Sequence, residues 1–133
     1  GVMYMTAAAL PYLIDSGHRY IVNVSSVAGR RVYPGGAVYC GTKAFVCSFS
    51  EGLRQELSAG KNLRVVAIEP GVVATELTQT ITDDDIRENM KPIFQDIEPL
   101  QSEDIARTIG YVIRQPEHMS VNEVLIRPTQ QPM

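Results

Sequence analysis

The chain has 133 residues, 44% of them hydrophobic and 20% charged, with a formal net charge of −3. That balance suits a globular domain with a core to bury, and the scattered Lys and Arg residues leave no footprint for a polyanion, so nucleic acid is not an expected partner. No apolar run reaches the roughly 18 residues of a membrane-spanning helix, and the N-terminus lacks the basic, apolar and small-residue order of a signal peptide. A soluble, cytoplasmic protein without a membrane partner is therefore expected.

Residues 2–15 read as a helix that Pro11 should kink or interrupt and Gly17 should end. The apolar run starts directly after Gly1 with no Ser, Thr, Asp or Asn cap, as a helix that had been cut through would. Residues 19–25 are a short β-branched run, the composition of a strand in a parallel sheet covered on both faces, and they end at Ser25 and Ser26. Gly29, Pro34, Gly35 and Gly36 make residues 27–36 a loop.

Residues 37–59 predict a long helix with Phe45, Phe49, Leu53 and Leu57 recurring along its apolar side and Gly60 as its stop. Cys40 and Cys47, the only cysteines, fall on this helix too far apart along its axis for a disulfide, and are read as reduced thiols. There is no CxxC pair, and His18 and His118 are the only histidines, so no metal site is expected.

Residues 63–68 repeat the buried-strand signature and run into Pro70-Gly71, where regular pairing must end. Two such strands around one helix make a βαβ unit with a right-handed crossover. Residues 72–101 are polar and irregular, with Pro92, Pro99 and some helix near 84–90, and the stretch 76–100 is a candidate substrate lid. Ser102 is the expected cap of a short helix with Ile105, Ala106, Ile109, Val112 and Ile113 on one face, and residues 121–126 predict a third strand.

In open parallel α/β sheets, ligands bind outside the carboxyl ends of the strands. Ser26 and Pro70-Gly71 lie at two such ends, while Tyr39 and Lys43, four apart near the start of the connecting helix, share a helix face at the same edge. The chemistry of that set is coherent. A carbonyl reduced by hydride becomes an alkoxide that needs a proton, which a phenol such as Tyr39 can give; a neighbouring ammonium, Lys43, favours the phenolate. A hydroxyl such as Ser26 can hold the carbonyl oxygen, and a nicotinamide would carry the hydride. Taken singly, each of these signals is more often a turn, a strand end or a solvated lysine.

Taken together, Asn23-Val24-Ser25-Ser26-Val27-Ala28-Gly29, Tyr39-Cys40-Gly41-Thr42-Lys43 and Pro70-Gly71-Val72-Val73-Ala74-Thr75 resemble, in order and spacing, the short-chain dehydrogenase/reductase family. The resemblance covers essentially the whole chain. It implies an α/β fold, the C-terminal portion of a Rossmann-like doubly wound parallel sheet, with residues 1–133 forming the C-terminal half of a single domain of roughly 250 residues. It implies an NADP cofactor, or NAD, and a small-molecule carbonyl or alcohol substrate. Ser26 rather than Ser25 is the implied substrate-polarising serine, Tyr39 the acid/base and also a cofactor contact, and Lys43 the ligand of the nicotinamide ribose. Pro70, Gly71, Val73 and Thr75 match the segment that contacts the nicotinamide.

The ending, residues 121–129, looks like the branch that contains NADP-dependent 3-hydroxy acid (serine-type) dehydrogenases and clavulanic aldehyde reductase. A homodimer or homotetramer is implied by resemblance alone. The family's glycine-rich phosphate-binding turn and its further catalytic Asn have no counterpart in these residues, and Asn23 is no substitute because it belongs to the serine-bearing strand. The segment alone is accordingly expected neither to fold stably nor to bind cofactor, the strand at 21–24 being left as an open sheet edge. Two alternatives stay open: a non-catalytic truncated family member acting through oligomerisation or partner binding, and a sugar-nucleotide epimerase or dehydratase, which shares the Tyr/Lys pair but which the segment 70–75 argues against.

Overall fold

Five consecutive residues from Val65 to Glu69 are at most 1% exposed, so the strand that carries them must have neighbours on both edges and cover on both faces. In a computed structural model, which describes residues 1–16 and 19–132 and gives residues 90–94 as backbone alone, this strand is β2 (Arg64–Pro70), the centre of a parallel three-stranded sheet. β1 (Tyr20–Val24) pairs with it in the register Tyr20↔Arg64 to Val24↔Ile68, and β3 (Glu123–Ile126) in the register Ala67↔Glu123 to Pro70↔Ile126.

Successive strand side chains point to opposite faces, so the apolar run of β2 feeds two cores. On one face Ile21, Leu57, Leu63 and Val65 pack with Leu10, Leu13 and Leu53, contributed by the helices α1 (Val2–Asp15) and α2 (Ala37–Lys61). On the other, Val66, Ile68 and Val112 pack with Ile105 and Ile109 of α4 (Ser102–Ile113) and with Val22, Val121 and Val124. Helices thus cover a parallel sheet on both faces, as in Rossmann-like folds. Leu63 is fully buried, and Leu63→Ala should cost about 2–5 kcal/mol in a denaturant melt, because deletion removes transfer energy and leaves a cavity.

Several boundaries differ from the sequence expectation for local physical reasons. α1 continues through Pro11 to Asp15: proline removes one backbone donor, while Leu10 and Leu13 on either side stay anchored in the core. The expected stop at Gly17 lies outside the described residues. α2 passes Gly60 and ends at Asn62, which takes the left-handed conformation (φ 50°, ψ 35°) and donates its N–H to Leu57 O and Ser58 O; asparagine tolerates that region nearly as well as glycine.

The buried positions of α2 are Cys40, Ser50, Arg54 and Leu57, while Phe45 remains 42% exposed and stacks on Phe49. Small side chains allow the close approach, and Asn23 of β1 donates to Ser50 Oγ at 2.9 Å. Gln101, not Ser102, caps α4, sharing a reciprocal capping box with Asp104. The first part of the 27–36 loop is a short 3-10 helix, Val27–Gly29.

Residues 74–99 leave the sheet after β2 and return beside it: Ala74 N–H donates to Leu100 O (2.8 Å) and Leu100 N–H to Val72 O (3.0 Å). The excursion holds a 3-10 helix, Glu76–Thr80, and α3 (Asp84–Phe94), which extends beyond the predicted 84–90 and is capped by Asp83. Among the described residues no helix is long and apolar enough to cross a membrane.

Candidate active site

The carboxyl ends of β1 and β2 and the first turns of α2 are joined by side-chain bonds at one edge of the sheet. Ser26 is the N-cap of the 3-10 helix Val27–Gly29; its Oγ accepts the Ala28 N–H at 3.1 Å and donates to Pro70 O at 3.4 Å. Ser25 points elsewhere, donating to Lys43 O at 2.8 Å and accepting the Cys47 thiol at 3.2 Å. Lys43 Nζ donates to Val24 O at 3.2 Å and lies 5.7 Å from the centroid of the Tyr39 ring, within cation–π range.

The 3-10 helix lies hard against α2. A Cβ on Gly29 would come 2.9 Å from Lys43 O and 3.0 Å from Cys47 Sγ, so only glycine allows this approach. Gly29→Ala should cost about 1–3 kcal/mol through overpacking, read as a lower denaturant midpoint.

Half-burial pushes the Lys43 pKa below its ordinary value, with the nearby Cys47 acting weakly in the opposite sense. An amine with a depressed folded-state pKa binds fewer protons folded than unfolded in the window between the two values, so stability rises with pH there. The stability of the wild-type protein relative to Lys43→Met should therefore increase as pH climbs toward the ordinary lysine range. A flat difference across that window would show that Lys43 is fully solvated.

The Pro70-Gly71 corner is held from β3 and the residues after it. Gly71 N–H donates to Ile126 O at 2.8 Å, and Val72 N–H donates to Gln131 Oε1 at 3.0 Å. Val73 bridges to Leu100. Thr75 Oγ1 accepts Leu77 N–H at 3.4 Å, capping the next 3-10 helix. The structure therefore brings Ser26 and Pro70 into direct contact and sets Lys43 over Tyr39, while Val73 and Thr75 follow on the strand extension. An open groove of about 430 Å³ lined by Leu100, Asp104, Arg107, Thr108, Tyr111 and Ile126 runs along α4 and includes none of Ser26, Tyr39 and Lys43.

A second set of residues at this edge was not singled out from the sequence. Glu69 of β2 is completely buried, and Arg30 grips it with two donors, Nε to Oε2 and Nη2 to Oε1 (2.8 Å), while Nη2 also reaches Glu123 of β3. The hydrogen bonds to Glu69 first and Glu123 second hold the Arg30 guanidinium more firmly in its charged form. The available signal was a carboxylate inside an apolar parallel strand, which requires a buried partner.

The short chain dehydrogenase family matches residues 1–86, and the chain belongs to that family. It is 45% identical over 132 residues to an uncharacterized oxidoreductase of Staphylococcus saprophyticus, covering 98% of this chain and 53% of that protein. It is 40% identical over 131 residues to a serine 3-dehydrogenase of Rhizobium radiobacter, covering 98% and 51%. Among solved structures, the closed form of a serine dehydrogenase complexed with NADP+ superposes with a TM-score of 0.80 at 36% identity, over 93% of this chain and 50% of that one. The chain thus spans about half the length of these relatives.

Proposed function

We propose that the full-length protein interconverts a secondary alcohol or hydroxy acid with the corresponding carbonyl compound, using NADP(H) or NAD(H). The observation that carries this reading is the placement of the Lys43 ammonium over the Tyr39 ring beside the Ser26 turn at the carboxyl edge of the sheet. The serine dehydrogenase likenesses support a 3-hydroxy acid as substrate and NADP as cofactor.

The donor set fits a nicotinamide riboside. Among the described residues the Tyr39 hydroxyl and the Val73 N–H meet no protein acceptor, and Lys43 Nζ gives one bond, to Val24 O. Lys43 has donors left for ribose hydroxyls, and the Val73 N–H is free for a carboxamide oxygen. When bound, the nicotinamide donates or accepts the hydride. In the reducing direction Ser26 turns its O–H from Pro70 O to the substrate carbonyl oxygen, holding it as negative charge develops. Tyr39 passes its phenolic proton to that oxygen, and the Lys43 charge stabilises the tyrosinate until solvent returns a proton. In oxidation the same proton leaves the alcohol for Tyr39.

The stretch 76–100, which makes up most of the excursion 74–99, is the proposed lid. It leaves the sheet beside Pro70-Gly71, and Ile86 of α3 approaches Gly35 in the loop leading to Tyr39, lying 3.8 Å from the position of a Cβ built on that glycine. The test is the nicotinamide absorbance of full-length protein with NADP+ or NAD+ and a panel of 3-hydroxy acids and secondary alcohols. Substrate-dependent formation of the reduced cofactor, faster with NADP+, is expected; the absence of turnover with either cofactor across the panel in both directions contradicts the reading.

A further inference from the structure

The 3-10 helix Val27–Gly29 is attached to β2 at both of its ends. At its start, Ser26 Oγ reaches Pro70 O at 3.4 Å; at its finish, the C-cap residue Arg30 holds Glu69, the neighbour of Pro70, with two donors. The Ser26 contact is long and must be given up whenever the hydroxyl turns to a substrate. The Arg30 contact is bidentate, charge-assisted and directed at a carboxylate with no solvent exposure, and its third bond extends to Glu123 on the next strand. The stronger attachment is thus the one the reaction leaves intact.

We infer that Arg30 and Glu69 form a positioning clamp that holds the Ser26 turn at the strand ends, so that the Ser26 hydroxyl keeps its aim at a substrate oxygen after it releases Pro70 O. This rests on the role proposed above for Ser26. Neither clamp residue touches the reacting atoms; both act through Ser26. Glu123 steadies the guanidinium from β3 and is itself part-exposed. Gly29, pressed against Lys43 O, keeps the same turn in contact with α2, so the clamp and the glycine together fix it relative to the Tyr39 helix.

A double-mutant cycle on the full-length protein tests this. Glu69→Gln keeps size and shape but puts an amide N–H opposite one Arg30 donor, loosening the turn. It should lower kcat on the order of ten- to a hundredfold, the cost of misplacing a group by about an ångström. KM for the cofactor should stay within about twofold. In a Ser26→Ala background the same substitution should change kcat by less than about twofold, because two residues acting through one group are not additive. Arg30→Lys, which keeps the charge and loses the fork, should behave in the same way with a smaller loss, and carries the cycle if Glu69→Gln does not melt cooperatively. Equal losses in both backgrounds, with Ser26→Ala itself costly, overturn the clamp and leave the function standing. A Ser26→Ala variant with unchanged turnover overturns the role of Ser26 and the clamp with it.

Discussion

Tyr39→Phe in the full-length protein should lower kcat by about 10²–10⁴-fold, the usual contribution of a positioned general acid, while the melting curve stays close to that of the wild type. Phenylalanine preserves the ring beneath the Lys43 ammonium, and the Tyr39 hydroxyl makes no hydrogen bond to a described residue, so little folding energy is lost with the oxygen. What disappears is the proton. Cofactor binding should persist, since Lys43 and the Val73 N–H remain. Near-normal turnover in this variant would contradict the role given to Tyr39; a collapse of the melting transition would show that its hydroxyl is structural.

Arg30→Met should be the most damaging substitution for stability, at about 3–5 kcal/mol, because it removes one partner of a buried pair and leaves the other charged. The severity comes from Glu69, which has no solvent exposure, rather than from Arg30, whose side chain is 45% exposed. Acidification, which protonates carboxylates, should recover part of the loss relative to wild type by neutralising the orphaned Glu69. Chemical denaturation of both proteins across the acid range measures this, and a penalty below 1 kcal/mol that ignores pH would mean that water takes over the Arg30 role.

The strands β1 and β2 were visible in the sequence because parallel strands covered on both faces read as apolar, β-branched runs, and residues 65–68 are such a run. The working face of α2 was not. Ser50 and Arg54 hold buried positions, the first bonded to Asn23 and the second ion-paired with Glu51, and polar residue types hide a buried stripe from a periodicity that counts only apolar ones. The Phe45–Phe49 stripe is conspicuous in sequence and partly exposed in the fold.

At the site, the Tyr39/Lys43 spacing was local and therefore readable, since four residues along a helix share a face. Choosing Ser26 over Ser25 needed the family resemblance. The fold supplies a physical distinction, as the Ser25 hydroxyl is committed to Lys43 O and the Cys47 thiol, whereas that of Ser26 faces the Pro70 corner. Arg30, Glu69 and Glu123 lie 39 and 93 positions apart along the chain, and no local pattern connects them. Their pairing exists only once β1, β2 and β3 are in register.

The most direct test of the proposed chemistry is to follow the label from NADPH carrying deuterium at both C4 positions of the nicotinamide ring through one turnover of the full-length protein with the 3-oxo acid of its best 3-hydroxy acid substrate. Hydride transfer at the edge built by Ser26, Tyr39 and Lys43 predicts deuterium on the new carbinol carbon, with solvent hydrogen on its oxygen. A reduced product without the label, or no reduced product, would contradict it.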